Sequence, residues 1–328
     1  MNLIQSKKIT YYTFIFFFIS FAYLFFAFGE DIKANSWQYI KFDVSMHKVV
    51  PHYKDFLREK GNEPHQFINY FNVTNIDLID CFKGIFHANE LSKKKNIKHK
   101  KIPKIIHQIW LGGKLPEKYR ALQASWIKYH PDWKYKLWTE KEIEKLHVYN
   151  RDILNETIGY SGKANILRYE ILYQFGGLYV DTDFECIKSF NILHENYEFY
   201  CGAGPFLKHI NLCNALIASI PGHPILEYAV KNMKNEVMYW KKLSQSNYIP
   251  KWAMQTASTG IFYFTKSFFS IVKNNIDSTI YDNILILPAT YFYPTSFTEA
   301  NIKREQLDKR LENCPESFGI HYWGGSLN

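Results

Sequence analysis

An α/β domain, a sheet covered by helices, is the fold class that the sequence predicts from Ile102 onward. Lys104 to Leu111 is a short β-branched apolar run that ends in Gly112-Gly113 and reads as a first strand entering a turn. Tyr135 to Trp138 reads as a second strand, and Thr139-Glu140-Lys141-Glu142 after it has the pattern of a capping box opening a helix. Phe175-Gly176-Gly177-Leu178-Tyr179-Val180-Asp181-Thr182-Asp183 then joins a glycine break, a buried strand and two carboxylates. Alternate side chains of an extended backbone share a face, so Asp181 and Asp183 point the same way and can hold one hard cation between them.

The chain has 328 residues, 47% hydrophobic and 18% aromatic, enough to bury a substantial core. Its net charge of +9 is concentrated in one run, Lys93, Lys94, Lys95, Lys98, Lys100, Lys101 and Lys104. No aromatic residue is interleaved with that run to stack bases, which argues for a solvated linker and against a nucleic-acid partner. The five cysteines contain no CxxC pair and give no zinc signature.

At the N-terminus Lys7 and Lys8 precede an uncharged run from Ile9 to Phe28 that meets Glu30 and Asp31. About 20 apolar residues span a bilayer with the positive flank left on the cytoplasmic side. Residues 1–29 therefore read as a cytoplasmic tail and transmembrane signal anchor, with Ala27 and Gly29 giving the competing pattern of a cleaved signal peptide. The sequons Asn72-Val73-Thr74 and Asn155-Glu156-Thr157 agree with a lumenal or extracytoplasmic location, the Golgi in a eukaryote. Residues 30–100 read as a stem or small helical appendage, with a short helix from His52 to Lys60, and residues 101–328 as the catalytic domain.

Within that domain, Tyr119, Leu122, Trp126 and Tyr129 give Pro116 to His130 a helical spacing that Pro131 ends. Ala164 to Gln174 repeats the pattern, with Ala164, Leu167, Ile171 and Phe175 on one stripe and Asn165, Arg168 and Tyr169 on a polar face. Gly176 and Gly177 suit its C-terminus, where a left-handed residue is needed. The following strand brings Asp181 and Asp183 to its carboxyl end, where ligands of open α/β sheets bind. A hard ion such as Mg²⁺ or Mn²⁺ takes oxygen ligands there and is commonly shared with phosphates. An EF-hand loop is excluded, since its sixth and twelfth places would be Cys186 and Ile192 instead of Gly and Glu. A haloacid-dehalogenase-like phosphatase also places DxD after a strand, but the fifth position is Glu185 and no later acidic pair follows.

Three blocks carry a resemblance: IPKIIHQIWLGG with SWIKYHPDWKYKLW, then KANILRYEILYQFGGLYVDTDFE, and finally GIHYWGGS. Together they resemble the family 32 glycosyltransferases, the DXD sugar-region group that includes yeast Golgi α-mannosyltransferases, and more distantly the glucosylating clostridial toxins. The resemblance implies a GT-A fold, a Rossmann-like mixed sheet flanked by helices, and metal-dependent retaining transfer of a hexose from GDP-mannose or a UDP-hexose to a glycan or glycolipid. It implies Mn²⁺ or Mg²⁺ held by Asp183 directly, by Asp181 through contacts to the donor and the metal's water shell, and by His321. It further implies base stacking on Trp110, a grip on donor sugar and diphosphate by Asn165 and Arg168, and closure by a C-terminal loop containing His321 and Ser326. Three departures stand out: Asn165 replaces the usual Asp, Ile261 follows Thr259-Gly260 where relatives have Pro, and the end reads Gly325-Ser326-Leu327 instead of Ser-Trp. Structural alternatives exist for each residue, namely core packing for Trp110, pairing with Glu170 or Glu185 for Arg168, and a buried strand histidine for His321. Gln255, Ser258 and Thr259 are candidates for the acceptor side. The alternatives to a transferase are the phosphatase and a membrane-tethered carbohydrate-binding protein without turnover.

Overall fold

The computed structural model describes residues 37–50, 53–56, 75–91, 100–205, 210–246, 249, 251–273, 283–300 and 302–324. The chain divides into residues 1–38 and a compact unit of residues 39–328. The expected membrane anchor lies outside the described residues, as do Asn72 and Ser326. Among the described residues no helix is long and apolar enough to cross a membrane.

The first described helices of the compact unit are α1 (Phe42–Val49), α2 (Tyr53–Phe56) and α3 (Asn75–Asn89). The strand and helix series follows with β1 (Ile105–Ile109), α4 (Glu117–Tyr129), β2 (Lys134–Trp138), α5 (Glu140–Glu144), α6 (Arg151–Glu156), α7 (Tyr160–Phe175) and β3 (Gly177–Val180). Beyond the acidic pair come β4 (Phe184–Cys186), α8 (Asn191–Asn196), β5 (Phe199–Ala203), β6 (Leu212–Ser219), α9 (Pro224–Ser246), α10 (Lys251–Ser258), α11 (Ile261–Lys273), β7 (Ile284–Leu287), α12 (Arg304–Glu312) and β8 (Gly319–His321).

Six strands form a mixed sheet in the order β2-β1-β3-β6-β5-β7. β1 pairs in parallel with β2 and β3, whereas β6 runs antiparallel to both β3 and β5. The central strands β3 and β6 are buried at every position, and the edge strand β2 alternates between exposed and half-buried before Trp138. That contrast follows from position, since an edge strand meets its core on one face and a central one is covered on both. The Thr139–Glu142 capping box forms as its sequence predicts, with Glu142 accepting from the Thr139 backbone N–H at 3.0 Å.

α7 departs from the two-faced helix expected of it. Residues 165–172 are all buried, including Asn165, Arg168, Tyr169 and Glu170, and Phe175 is exposed. The helix lies between β3 and β6 on one side and α9 on the other, so its polar face is turned into the protein. Glu170 is satisfied there by the N–H groups of Tyr149 and Asn150 and by the Asn150 amide. The turn after α7 requires glycine twice. Gly176 has φ 63°, and a Cβ there would stand 2.7 Å from Pro221 and 2.8 Å from the Ser219 carbonyl. Gly177 has φ 96°, and its Cβ would stand 2.6 Å from the Ile105 carbonyl. Both are close backbone approaches that let β3 lie against β1 and β6.

The segment expected as stem or appendage holds α1, α2 and α3, and two of these pack on the same unit as the sheet. Phe42 and Met46 of α1 are fully buried, and Ser45 Oγ lies 2.6 Å from Thr290 Oγ1. α3 covers β7, with Asn89 Nδ2 donating to the Ile284 carbonyl at 2.9 Å.

Candidate active site

Asp181 and Asp183 follow the carboxyl end of β3, and a second, two-stranded ribbon supplies their partner. β4 pairs antiparallel with β8, which sets Phe184 opposite His321. His321 Nε2 therefore lies 3.1 Å from Asp183 Oδ1 and 4.0 Å from Asp181 Oδ2. Beyond β8 the chain turns back on itself: the Tyr322 N–H donates to the Asp183 carbonyl at 3.0 Å and the Gly324 N–H to Asp183 Oδ2 at 2.8 Å. Trp323 makes that turn with φ 57°, a left-handed conformation unusual for a bulky residue. Its ring packs 4.2 Å from His321, and its indole N–H donates to the Thr295 carbonyl at 3.2 Å. His321 Nδ1 is buried without a hydrogen-bond partner among the described residues, and Phe184 is stacked on the imidazole at 5.3 Å.

Arg168 reaches the pair from α7. Its Nη2 lies 3.4 Å from Asp181 Oδ1, its Nε donates to the Ala164 carbonyl and its Nη1 to the Asn214 carbonyl. The guanidinium also sits 4.6 Å from the centre of the Tyr179 ring, whose hydroxyl donates to Asp181 Oδ1 at 2.6 Å. Five guanidinium N–H groups and three protein acceptors leave two donors uncommitted among the described residues. Arg168 thus pairs with Asp181, while Glu185 is engaged by Tyr322 and Arg304.

Burial raises the Asp181 pKa, with Arg168 opposing and Asp183 adding to the rise. Burial also works to raise Asp183, but His321, its hydrogen bond and the Gly324 N–H outweigh it and leave Asp183 below the ordinary carboxylate range. His321 shows the reverse balance, since burial would lower its pKa and the Asp183 charge raises it.

Ligand atoms of Asp181, Asp183 and His321 all lie within 4.8 Å of one another. A six-coordinate ion with ligands at about 2.1 Å needs neighbouring donors about 3 Å apart and opposite donors about 4 Å apart. The 3.1 Å and 4.0 Å separations from His321 Nε2 are close to these spacings, and two carboxylate oxygens with an imidazole nitrogen are a donor set that a small divalent cation accepts. The Asp181 side chain remains 27% exposed, which leaves the cluster open to a ligand on that side.

Trp110 follows β1, next to β3, and its backbone N–H donates to the Trp138 carbonyl at 2.9 Å. The indole is half-buried, its N–H has no partner among the described residues, and its ring lies 5.2 Å from Tyr119. Tyr119 and Asp183 both border Gly324, where a Cβ would stand 3.6 Å from the Tyr119 hydroxyl and 3.9 Å from Asp183 Oδ2. Asn165 lies one turn before Arg168 and accepts from Asn214 Nδ2 at 3.2 Å. Gln255 Nε2 donates to Ser161 Oγ, and Ser258 and Thr259 are buried.

Three contributors have no role assigned by the sequence patterns: Tyr179 and the Gly324 N–H, which lie inside the quoted blocks, and Asn214, which lies outside them. Period-two spacing puts Tyr179 on the face of Asp181 and could have found it. Asn214 reaches the site only because β6 pairs with β3, which no local pattern announces.

The family described as "Glycosyltransferase sugar-binding region containing DXD motif" matches residues 116–200. Inositol phosphoceramide mannosyltransferase 3 of Schizosaccharomyces pombe is 32% identical over 171 residues, covering 51% of this chain and 44% of that protein. The mannosyl phosphorylinositol ceramide synthase SUR1 of Saccharomyces cerevisiae is 28% identical, with 52% and 44% covered. The matched stretch thus spans less than half of each of these yeast relatives. An uncharacterized glycosyltransferase, L373, of Acanthamoeba polyphaga mimivirus is 30% identical over 212 residues, covering 59% of this chain and 73% of its own length. Among solved structures, the PaToxG glycosyltransferase aligns with a TM-score of 0.44 at 17% identity, covering 65% of this chain and 83% of that one. Similarity to L373 along most of that protein's length, with the profile match across the DXD region, makes this chain a member of the glycosyltransferase family with a DXD-containing sugar-binding region.

Proposed function

We propose that this chain is a metal-dependent, retaining hexosyltransferase that takes its sugar from a nucleotide diphosphate. The observation that carries the reading is the convergence of Asp181, Asp183 and His321 within 4.8 Å, with Arg168 beside them. Asp183 and His321 would hold Mn²⁺ or Mg²⁺, with Asp181 completing the set or reaching it through water. When bound, such an ion supplies charge neutralisation at the departing diphosphate and acts as a Lewis acid.

The protein's own groups do the rest. Arg168 adds a fixed positive charge and orients Asp181, while the Tyr179 hydroxyl donates to the same carboxylate oxygen. These charges are in place before reaction, so they favour developing negative charge without reorganisation. Trp110 offers an aromatic face for the base, and the loop from Tyr322 through Ser326 would close over the phosphates. In a retaining transfer the departing phosphate oxygen can take the acceptor's hydroxyl proton on the same face of the sugar, which requires no protein nucleophile. Relatives named as mannosyltransferases of inositol phosphoceramide favour GDP-mannose as donor and a glycolipid as acceptor. With an N-terminal anchor, the site would face the lumen.

The test is equilibrium binding of GDP-mannose and a set of UDP-hexoses with and without Mn²⁺. Metal-dependent binding and slow donor hydrolysis, both lost in Asp183→Ala, are expected. Failure of every nucleotide sugar to bind in the presence of metal would remove the proposal. The phosphatase alternative gains no support, since Asp181, which would be its nucleophile, is tied to Arg168 and Tyr179. Turnover of p-nitrophenyl phosphate would revive it.

A further inference from the structure

α1 lies in the segment whose sequence reads as a stem, yet a directed chain of hydrogen bonds runs from it toward the acidic cluster. Glu316 is buried with Lys48 Nζ 3.5 Å from its Oε1, and as a carboxylate it only accepts. Thr290 Oγ1 lies 2.6 Å from the same oxygen and directs its one proton there. Ser45 Oγ, 2.6 Å from Thr290 Oγ1, therefore donates to it, and accepts the Thr290 N–H at 3.0 Å. Met46 Sδ accepts the neighbouring Ala289 N–H at 3.3 Å, so two residues of α1 hold the start of segment 289–295 by its backbone. That segment lies against the chain that becomes β8. The Ser317 hydroxyl donates to the Thr290 carbonyl, and the Phe318 N–H to the Tyr291 carbonyl at 2.7 Å. Thr295 meets the turn beyond, its hydroxyl 3.4 Å from the His321 carbonyl and its own carbonyl accepting the Trp323 indole N–H at 3.2 Å. β8 has only three residues and pairs with β4 alone, too little to hold a strand in place. Where His321 sits thus depends on what backs the ribbon as well as on β4.

We propose that α1 is a working part of the metal site. Ser45, Thr290 and Glu316 are positioning residues: they set segment 289–295, and through it His321, at the distance from Asp183 that a shared cation needs. All three lie outside residues 116–200, where the family profile matches, and they act only through His321. Removing the Thr290 hydroxyl leaves Ser45 Oγ and Glu316 Oε1 each short of a partner and frees the start of the segment from α1. This inference rests on the reading of Asp183 and His321 as metal ligands.

The experiment titrates the full chain with Mn²⁺ and records the ¹⁴N electron spin-echo modulation of the bound ion, which detects imidazole coordination, beside urea unfolding. Thr290→Val keeps the side-chain shape and removes the hydroxyl, Thr290→Ser keeps the hydroxyl, and Ser45→Ala is a milder break in the same chain should Thr290→Val not fold. Thr290→Val and Ser45→Ala are expected to bind Mn²⁺ about tenfold more weakly and with weakened ¹⁴N modulation, and Thr290→Ser to restore both. A merely structural role would lower the urea midpoint and leave the affinity and the ¹⁴N signal of the folded variants unchanged. That outcome, or an equal loss in Thr290→Ser, would overturn the proposal while leaving the metal site standing. A wild-type chain that binds Mn²⁺ without ¹⁴N modulation would also overturn it, and one that binds no Mn²⁺ would remove the metal reading as well.

Discussion

Asp181 and Asp183 are two residues apart yet sit in opposite electrostatic settings. Asp183 is held ionised by His321 and the Gly324 N–H, whereas burial raises Asp181, which depends on Arg168 and Tyr179 to keep its charge. Tyr179→Phe removes a hydrogen bond to the ionised carboxylate and so should raise the Asp181 pKa further. A metal binds the deprotonated form, so the midpoint of Mn²⁺ affinity against pH is expected to move upward in the variant, with affinity near neutral pH reduced about tenfold. An affinity curve that coincides with the wild-type curve would show that Tyr179 does not act on the ligand. His321→Ala, which removes one of three donors, should weaken Mn²⁺ binding more than Tyr179→Phe does in the same titration. The carboxylate pair itself was legible from the alternation of a strand. Asn214 was not, because its place depends on a sheet partner distant in the chain.

Two small elements assemble the site. The Gly176-Gly177 turn delivers β3, and the β4–β8 ribbon delivers His321. Gly176→Ala would force a Cβ into φ 63° and to within 2.8 Å of Pro221 and the Ser219 carbonyl, a combination expected to cost about 2 kcal/mol or more. Chemical denaturation reads that loss directly, and a variant of wild-type stability would mean that the turn relaxes freely. The glycines were readable because their role is local: the helix must stop and the strand must approach its neighbours. The sequence groups Asn165, Arg168 and Tyr169 on one face of α7 but does not announce that this face is buried. Helical periodicity distinguishes two faces without saying which one meets solvent, and here α9 and the sheet cover both. The β4–β8 ribbon gave still less signal, as three-residue strands separated by more than a hundred positions leave no recognisable period.

Across the molecule, buried histidines link stability to pH. His107 donates from Nε2 to the Gly176 carbonyl and accepts at Nδ1 from the Trp138 indole. His130 donates from Nδ1 to the Trp126 carbonyl and accepts at Nε2 from the Phe190 N–H. Each is thereby fixed as one neutral tautomer, and a second proton would face an N–H donor. Burial lowers the pKa of both to about 4 and that of His223 to about 3. An unfolded histidine titrates near 6.5, so between that pH and about 4 the unfolded chain binds more protons than the folded one. The stabilisation is complete above pH 6.5 and is lost as pH falls toward 4. Melting temperatures should therefore decline as pH falls from 6.5 toward 4; a level profile down to pH 4.5 would contradict these assignments.

At the same scale, the glycosyltransferase reading depends on whether the acids, His321 and Arg168 act together on one ligand. Binding of a GDP-mannose and UDP-hexose panel to the wild-type chain and to Asp183→Ala, with and without Mn²⁺, measures this most directly. At least one nucleotide sugar is expected to bind only with the metal and to be lost in the variant. Binding that persists in Asp183→Ala, or that ignores the metal, would contradict the glycosyltransferase reading.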